Sequence, residues 1–372
     1  MVYTCSEVNA SYMDIQDYLR NKEKRFALKL RQVRDPRVFD FNYIPSKPLL
    51  REEMKPVIDA LLRYEQTHIA NHLLIVGSRG SGKTLSVRFL EQTFRRRGLP
   101  VLYSNGRAHN TSYKVLAHLL GVRARGVSFD ELTDRFTHRV PGPAVVVLDE
   151  ADLLSEKDRH KNILYFLSRA EPNYMAVLLS NNPRWHQGLD ESIQSTLQPE
   201  LIHFRAYTPR ELEVILSDRA HTGLTRAPAT VLKEIAARTA KYAQSDVRVA
   251  IKTLYYWATE PTAGLEEQFQ RARKDIVHEV LRHLSDKNLL VLRAAGPEEQ
   301  NVKAVYEAYR SLCARHGEEP FSYVYFYSAL SYLQSLGMVL LIATKVGRTY
   351  TNRIHLTFPV EMLEQLWRTR FR

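Results

Sequence analysis

Residues 77–84 read Gly77-Ser78-Arg79-Gly80-Ser81-Gly82-Lys83-Thr84, between an apolar run and a segment of helical periodicity that extends to Arg97. This is the Walker A pattern, in which backbone N–H groups of a glycine-rich turn and a helix N-terminus surround phosphates. Glycine permits the close approach and the positive φ angles that the loop needs. We therefore expect these eight residues to bind ATP or ADP, with Lys83 at the β- and γ-phosphates and Thr84 on Mg²⁺.

Short apolar runs alternate with helical segments on both sides of this loop, which indicates a parallel sheet and an α/β fold. The runs are continuously apolar, as expected of strands that are covered on both faces. The predicted strands are Leu73–Val76, Val101–Ser104, Ala144–Leu148, Met175–Ser180 and Leu201–Phe204.

Polar residues follow two of these strands and one later helix start. Asp149 and Glu150 end the run Val145–Leu148 as in a Walker B motif, with Asp149 predicted to hold Mg²⁺ and Glu150 to activate the attacking water. Asn181 follows Ser180 and is expected to face the γ-phosphate, although a simple asparagine turn also fits. Arg248 lies at the start of a helix capped by Ser245 or Asp246 and would point back toward the phosphates.

The charge balance predicts a polyanionic partner. The chain has 372 residues, a formal net charge of +12 and only two cysteines, which excludes a disulfide framework. An inert basic surface is the alternative. There is neither a signal peptide nor a long apolar run, so we expect a cytoplasmic, nucleoid-associated protein without a membrane span.

The chain is long enough for several domains. We predict a basic N-terminal arm or helix at 1–36, an α/β nucleotide-binding core at 37–206 and a helical lid with a linker helix (Leu265–Leu284) at 207–285. A third unit at 286–372 contains helices, a break at residues 316–322, a helix over Tyr323–Leu336, and two strands around Gly347.

The ordered set of GSRGSGKT, VVVLDEAD, SNN, residues 204–212 and SDVR resembles the initiator clade of AAA+ ATPases, the archaeal relatives of the origin recognition complex's first subunit and of cell division cycle six. The resemblance covers roughly residues 35–372. It implies an AAA+ P-loop core, a helical lid and a C-terminal winged-helix domain on double-stranded DNA.

The resemblance also assigns roles. Asn181 corresponds to sensor one and Arg248 to sensor two, and the stretch with Tyr43, Pro45 and Arg51 corresponds to the adenine-side loop. Slow, switch-like ATP hydrolysis, origin recognition, loading of the replicative helicase and paralogous initiator subunits as partners are the implied biology.

The chain departs from the clade in its arginines. The clade usually has an arginine within the stretch that corresponds to Leu189–Leu197, and this chain has none there. An arginine that acts on a neighbouring subunit's ATP is therefore in doubt, with Arg184 or Arg205 as substitutes.

The predicted recognition helix also differs, because Tyr325, Ser328 and Ser331 stand where relatives often have arginines. Hydroxyl groups bind phosphates or bases but cannot read guanine bidentately. The predicted DNA contacts come from this helix, from the wing and from a loop of the core: Tyr325, Ser328, Lys345, Arg348, Arg353, Arg123 and Arg125. A packed surface aromatic, a solvated wing and a plain basic turn are the respective alternatives.

Two other functions fit parts of the pattern. A clamp-loader-like or transposition-helper ATPase would share the core without needing a winged helix. An adaptor or transcriptional repressor would keep a nucleotide site with only a structural role.

Overall fold

The computed structural model describes residues 15–16, 18–20, 23, 32–123, 126–155, 158, 160–260, 263–346 and 349–371. Most of the predicted basic arm at 1–36 lies outside these ranges. Within the described part of the chain, no helix combines the length and apolarity that a membrane crossing would require.

Five parallel strands form the central sheet, in the order β2-β3-β4-β1-β5. Every residue of β3 and β4 is buried, which accounts for their continuous apolar sequences. The predicted strands are all present, with ends shifted by one residue in four of them. The strands are β1 (Leu73–Gly77), β2 (Val101–Asn105), β3 (Val145–Asp149), β4 (Met175–Ser180) and β5 (Glu200–Phe204).

Helices cover both faces of this sheet and form separate apolar layers with it. Several begin at a side chain that accepts a hydrogen bond from the first turn, such as Thr111 and Ser128. The helices are α1 (Met54–Thr67), α2 (Lys83–Arg96), α3 (Ser112–Leu120), α4 (Phe129–Arg139), α5 (Asn162–Arg169) and α6 (Glu191–Leu197).

The lid follows the sheet and is helical, as predicted. Its first helix begins with a capping box, in which Thr208 and Glu211 bond each other's backbone, and Pro209 occupies the first turn. The lid helices and the long linker helix are α7 (Pro209–Gly223), α8 (Ala229–Tyr242), α9 (Val247–Thr259) and α10 (Leu265–His283).

The C-terminal unit is a winged helix, in which helices pack on a small antiparallel sheet of order β6-β8-β7. Phe326, Leu330 and Leu333 are fully buried on the inner face of the predicted recognition helix, as their spacing indicates. The elements are α11 (Asp286–Ala295), β6 (Gln300–Asn301), α12 (Val302–Arg315), α13 (Tyr323–Ser335), β7 (Val339–Val346), β8 (Thr349–Leu356) and α14 (Glu361–Arg370).

The segment before α1 packs on the lid. Val38 is fully buried, and a Cβ on Gly223 of α7 would lie 2.2 Å from its Cγ2 atom. Arg219 donates to the carbonyls of Val38 and Asp40. These partners are more than 170 residues apart along the chain, so no local sequence pattern predicts the contact.

Candidate functional site

The loop from β1 to α2 depends on glycine at two positions. Gly80 and Gly82 have φ angles of +73° and +87°, in the left-handed region that side chains disfavour. Their Cβ atoms would also meet neighbours, 2.1 Å from Asp246 Oδ1 at Gly80 and 1.9 Å from Tyr207 Oη at Gly82. The lid therefore encloses the loop at two points, through Asp246 and through Tyr207.

The Lys83 ammonium is buried beneath this loop. It donates to the carbonyls of Gly77 and Ser78 at 2.7 and 3.0 Å, and to Asn181 Oδ1 at 3.0 Å. Burial lowers its pKa to about 8, although nearby carboxylates act in the opposite direction. All three acceptors are neutral, so a phosphate that displaced them would give the Lys83 ammonium an anionic partner.

The end of β3 and the start of α2 bring two hard oxygen ligands together. Thr84 Oγ1 donates to Asp149 Oδ2 at 2.8 Å, and Tyr103 Oη donates to the same oxygen at 2.7 Å. Burial raises the pKa of Asp149. A hydroxyl and a carboxylate at this spacing fit Mg²⁺, which prefers oxygen ligands and completes its shell with water and phosphate.

Glu150 is held away from its ordinary backbone conformation and in an ion pair. Its φ of 50° is left-handed, and its Oε2 atom lies 2.9 Å from Arg107 Nε. Gly106 permits this arrangement, because its amide bonds Asp149 O at 2.7 Å and a Cβ there would lie 2.4 Å from Glu150 O. Sequence reasoning missed Arg107, although its position just after β2, beside β3, was the available signal.

Asn181 directly follows β4, and its side-chain oxygen accepts a hydrogen bond from Lys83. Its backbone N–H donates to Asp152 Oδ1 at 3.3 Å, and burial raises the pKa of Asp152 to about 6. Asn182 begins the following loop, where its side chain accepts from the Arg184 N–H at 3.0 Å. The side chain at the phosphate loop is therefore that of Asn181.

The lid contributes Arg248 from the first turn of α9. Asp246 is the N-cap, which settles the choice between it and Ser245. The same carboxylate pairs with the Arg248 guanidinium, with 2.9 Å between Nε and Oδ1. Arg248 lines the cavity between core and lid, so the lid presents a cation toward the phosphate loop.

A cavity of about 640 Å³ lies between the phosphate loop, the lid and the segment before α1. Lys83, Thr84, Asp149, Glu150, Asn181 and Arg248 all line it. Its other walls include Ile44, Pro45 and Ile215, which form an apolar environment that suits a purine ring.

Two residues predicted for the adenine side, Tyr43 and Arg51, do not line this cavity. The Tyr43 ring lies 5.3 Å from the Arg219 guanidinium, and the Tyr43 carbonyl accepts from it. The side chain of Tyr43 therefore joins the segment before α1 to the lid.

Arg51 is 3% exposed and lies behind the phosphate loop. It donates to the carbonyls of Ser81 at 2.8 Å and Arg205 at 2.9 Å, and its guanidinium lies 4.3 Å from the centre of the Tyr207 ring. Glu53 and Glu211 complete the shell, each 3.3 Å away. Arg51 therefore supports the loop from the protein side.

The predicted DNA-contacting residues are spread over three surfaces. Tyr325 is 59% exposed on α13, and Ser328 Oγ bonds the carbonyl of Val324 within the same helix. Arg353 lies on β8 with its guanidinium 3.9 Å from Glu299. Arg123 is exposed. Two residues predicted to contact DNA, Arg125 and Arg348, lie outside the described residues, as does the side chain of Lys345.

The two substitutes for the absent arginine of α6 differ in availability. Arg205 pairs with Glu53, with 2.7 Å between Nε and Oε1. Arg184 is exposed at the start of a short 3-10 helix. Only Arg184 of the two is without a carboxylate partner in the described part of the chain.

This geometry defines a P-loop ATPase domain with a helical lid and a winged helix. Model comparisons agree, since residues 67–186 match the family described as AAA domain and residues 279–365 match the CDC6 C-terminal winged-helix domain. The chain thus combines an AAA domain with a CDC6-type C-terminal winged helix and is similar to ORC1-type DNA replication proteins, which confirms the resemblance and the fold class predicted from the sequence.

Individual relatives extend over most of the chain. It is 24% identical to ORC1-type DNA replication protein 3 of Saccharolobus solfataricus, over 85% of this chain and 86% of that protein. It is 28% identical to ORC1-type DNA replication protein 1 of Sulfurisphaera tokodaii, over 82% and 85%. The Aeropyrum pernix ORC1 protein, solved in complex with DNA, matches with a TM-score of 0.63 and 26% identity, over 92% and 98%.

Proposed function

We propose that this chain is an ATP-dependent replication initiator that binds duplex DNA at origins and helps to load the replicative helicase. The observation that carries the proposal is the convergence of Lys83, Thr84, Asp149, Asn181 and Arg248 on one cavity, in a chain that also contains a winged helix. The domain limits proposed are 1–36, 37–206, 207–285 and 286–372, with Val33, Val38 and Phe39 packed on the lid.

The nucleotide chemistry follows from the positions of the cavity residues. Lys83 and the loop amides bind the phosphates, and Asn181 orients the terminal one. Thr84 and Asp149 hold Mg²⁺, which screens phosphate charge when bound. Glu150 accepts a proton from the attacking water, and Arg248 contributes positive charge from the lid.

Hydrolysis is slow in this proposal because Glu150 is engaged by Arg107. A carboxylate in an ion pair at 2.9 Å has to exchange that partner for water before it acts as a base. The lid touches the loop through Asp246, and the winged helix touches it through Ser335, whose carbonyl accepts the Arg79 N–H at 3.3 Å. Loss of the terminal phosphate would therefore change the contacts of the loop with both the lid and the winged helix.

DNA binding rests on the net charge of +12, on the winged helix and on the DNA complex of the Aeropyrum pernix relative. The helix α13 offers tyrosine and serine instead of arginine, so phosphate contacts from the wing and from the Arg123 loop carry most of the affinity. Paralogous initiator subunits and the helicase are the proposed protein partners.

The test measures nucleotide and DNA binding by the same preparation. Wild type should bind ADP and ATP, hydrolyse ATP slowly, and protect an origin fragment in preference to a scrambled duplex. Lys83→Ala should lose nucleotide binding, because the phosphates lose their buried cation. Nearly normal affinity in that variant overturns the site, and equal protection of both duplexes favours the clamp-loader-like alternative.

A further inference from the structure

Arg79 is the third residue of the phosphate-binding loop, at a position where the loop pattern itself requires no particular side chain. The backbone N–H groups of the loop and Lys83 already account for phosphate binding in general. Arg79 nevertheless lines the same cavity as Lys83 and Arg248. An arginine here is therefore surplus to the binding motif and needs its own explanation.

The charge around Arg79 is unbalanced. Both of its cationic neighbours already form ion pairs, Arg107 with Glu150 and Arg248 with Asp246. The Arg79 guanidinium has no hydrogen bond or ion pair to any residue that the structure describes. Burial lowers the pKa of Arg79, and Arg248 and Arg107 lower it further, while Glu150 and Glu279 act in the opposite direction without bonding to it; the net direction is down. A partly buried cation beside two like charges calls for an anion.

The backbone at Arg79 is held from two sides. Its N–H donates to the carbonyl of Ser335 at the end of α13, and the next residue, Gly80, packs against Asp246 of the lid. The side chain therefore starts from a fixed place at the mouth of the loop. From that place Arg79 lines the cavity.

We propose that the Arg79 guanidinium contacts the terminal phosphate of ATP, as an arginine supplied by the loop of the same chain. The inference rests on the proposed nucleotide-binding function. Phosphoryl transfer gains from a cation that neutralises charge developing on the transferred group, whether it comes from the same chain or from another. The helix α6 has no arginine, so it cannot supply such a cation to the ATP of a neighbouring subunit.

The role predicts discrimination between nucleotides. ADP lacks the phosphate that Arg79 contacts, so Arg79→Ala should weaken binding of a non-hydrolysable ATP analogue about tenfold or more and leave ADP affinity within about twofold. The single-turnover rate of ATP hydrolysis should fall as well. Arg79→Lys, which keeps the charge but loses the planar fork, should give intermediate values.

The experiment titrates wild type, both variants and Arg96→Ala, an exposed arginine at the end of α2, with the analogue and with ADP by calorimetry. The expected result is a loss of the analogue's advantage over ADP in Arg79→Ala alone. An unchanged ratio, or an equal loss of both nucleotides, overturns the role of Arg79. Wild type that binds neither nucleotide would instead refute the proposed function itself.

Discussion

Arg51→Ala tests whether this arginine supports the loop or touches nucleotide. The substitution removes bonds to two carbonyls and the buried one of the two counterions of Glu53, whose second carboxylate oxygen is already buried without a partner. With an Arg51 side-chain exposure of 2%, solvent does little to replace the lost contacts. Removing one partner of a buried ion pair costs about 3–5 kcal/mol.

An α/β core of this size shifts its melting temperature by about 2–4 °C per kcal/mol, so Arg51→Ala should melt about 10 °C below wild type. Arg205→Ala is the matched control, since it removes an arginine from the same Glu53 carboxylate with a side chain that is 64% exposed. Because Arg205 is exposed and Glu53 keeps Arg51 as a partner, the loss should be about 0–1 kcal/mol, so this control should lose no more than about 4 °C.

The assay is thermal unfolding followed by circular dichroism, without nucleotide and with saturating ADP. Arg51→Ala should still bind ADP in its folded state, because Arg51 does not line the cavity. Equal melting temperatures for Arg51→Ala and Arg205→Ala would refute the supporting role. Loss of ADP binding with unchanged melting would restore the direct nucleotide contact that the sequence predicted.

Three further predictions follow from the site and the wing. The pKa of Lys83 is lowered to about 8, so above that pH the side chain must take up a proton before it binds phosphate. ADP should therefore bind about tenfold more weakly at pH 9 than at pH 7 when its affinity is measured by calorimetry. An affinity that does not change with pH contradicts this. Glu150→Gln should retain ATP and turn over 10²–10⁴-fold more slowly, and wild-type turnover would exclude Glu150 as the base. Arg348→Ala should weaken binding to all duplexes and flatten the log–log salt slope by about one unit, whereas Tyr325→Ala should alter the preference between origin and scrambled duplexes; an unchanged slope removes the wing from the interface.

The sequence was sufficient to predict those site residues whose position depends only on their neighbours along the chain. The phosphate loop, Asp149 with Glu150, and Asn181 each follow an apolar strand directly, and parallel strands bring their carboxyl ends to one edge of the sheet. Strand and helix limits were predicted to within a few residues, since buried runs and capping residues are local signals.

Only the tertiary structure decided which distant side chains complete the site. Arg107 reaches Glu150 from 43 residues away, Arg51 reaches Ser81 and Arg205, and Ser335 of the winged helix reaches Arg79. Such partners are chosen by how the core, lid and winged helix pack, and many arginines in a chain of net charge +12 satisfy the same local pattern. Long-range packing therefore separated Arg51, which supports the loop, from Arg79 and Arg248, which line the cavity.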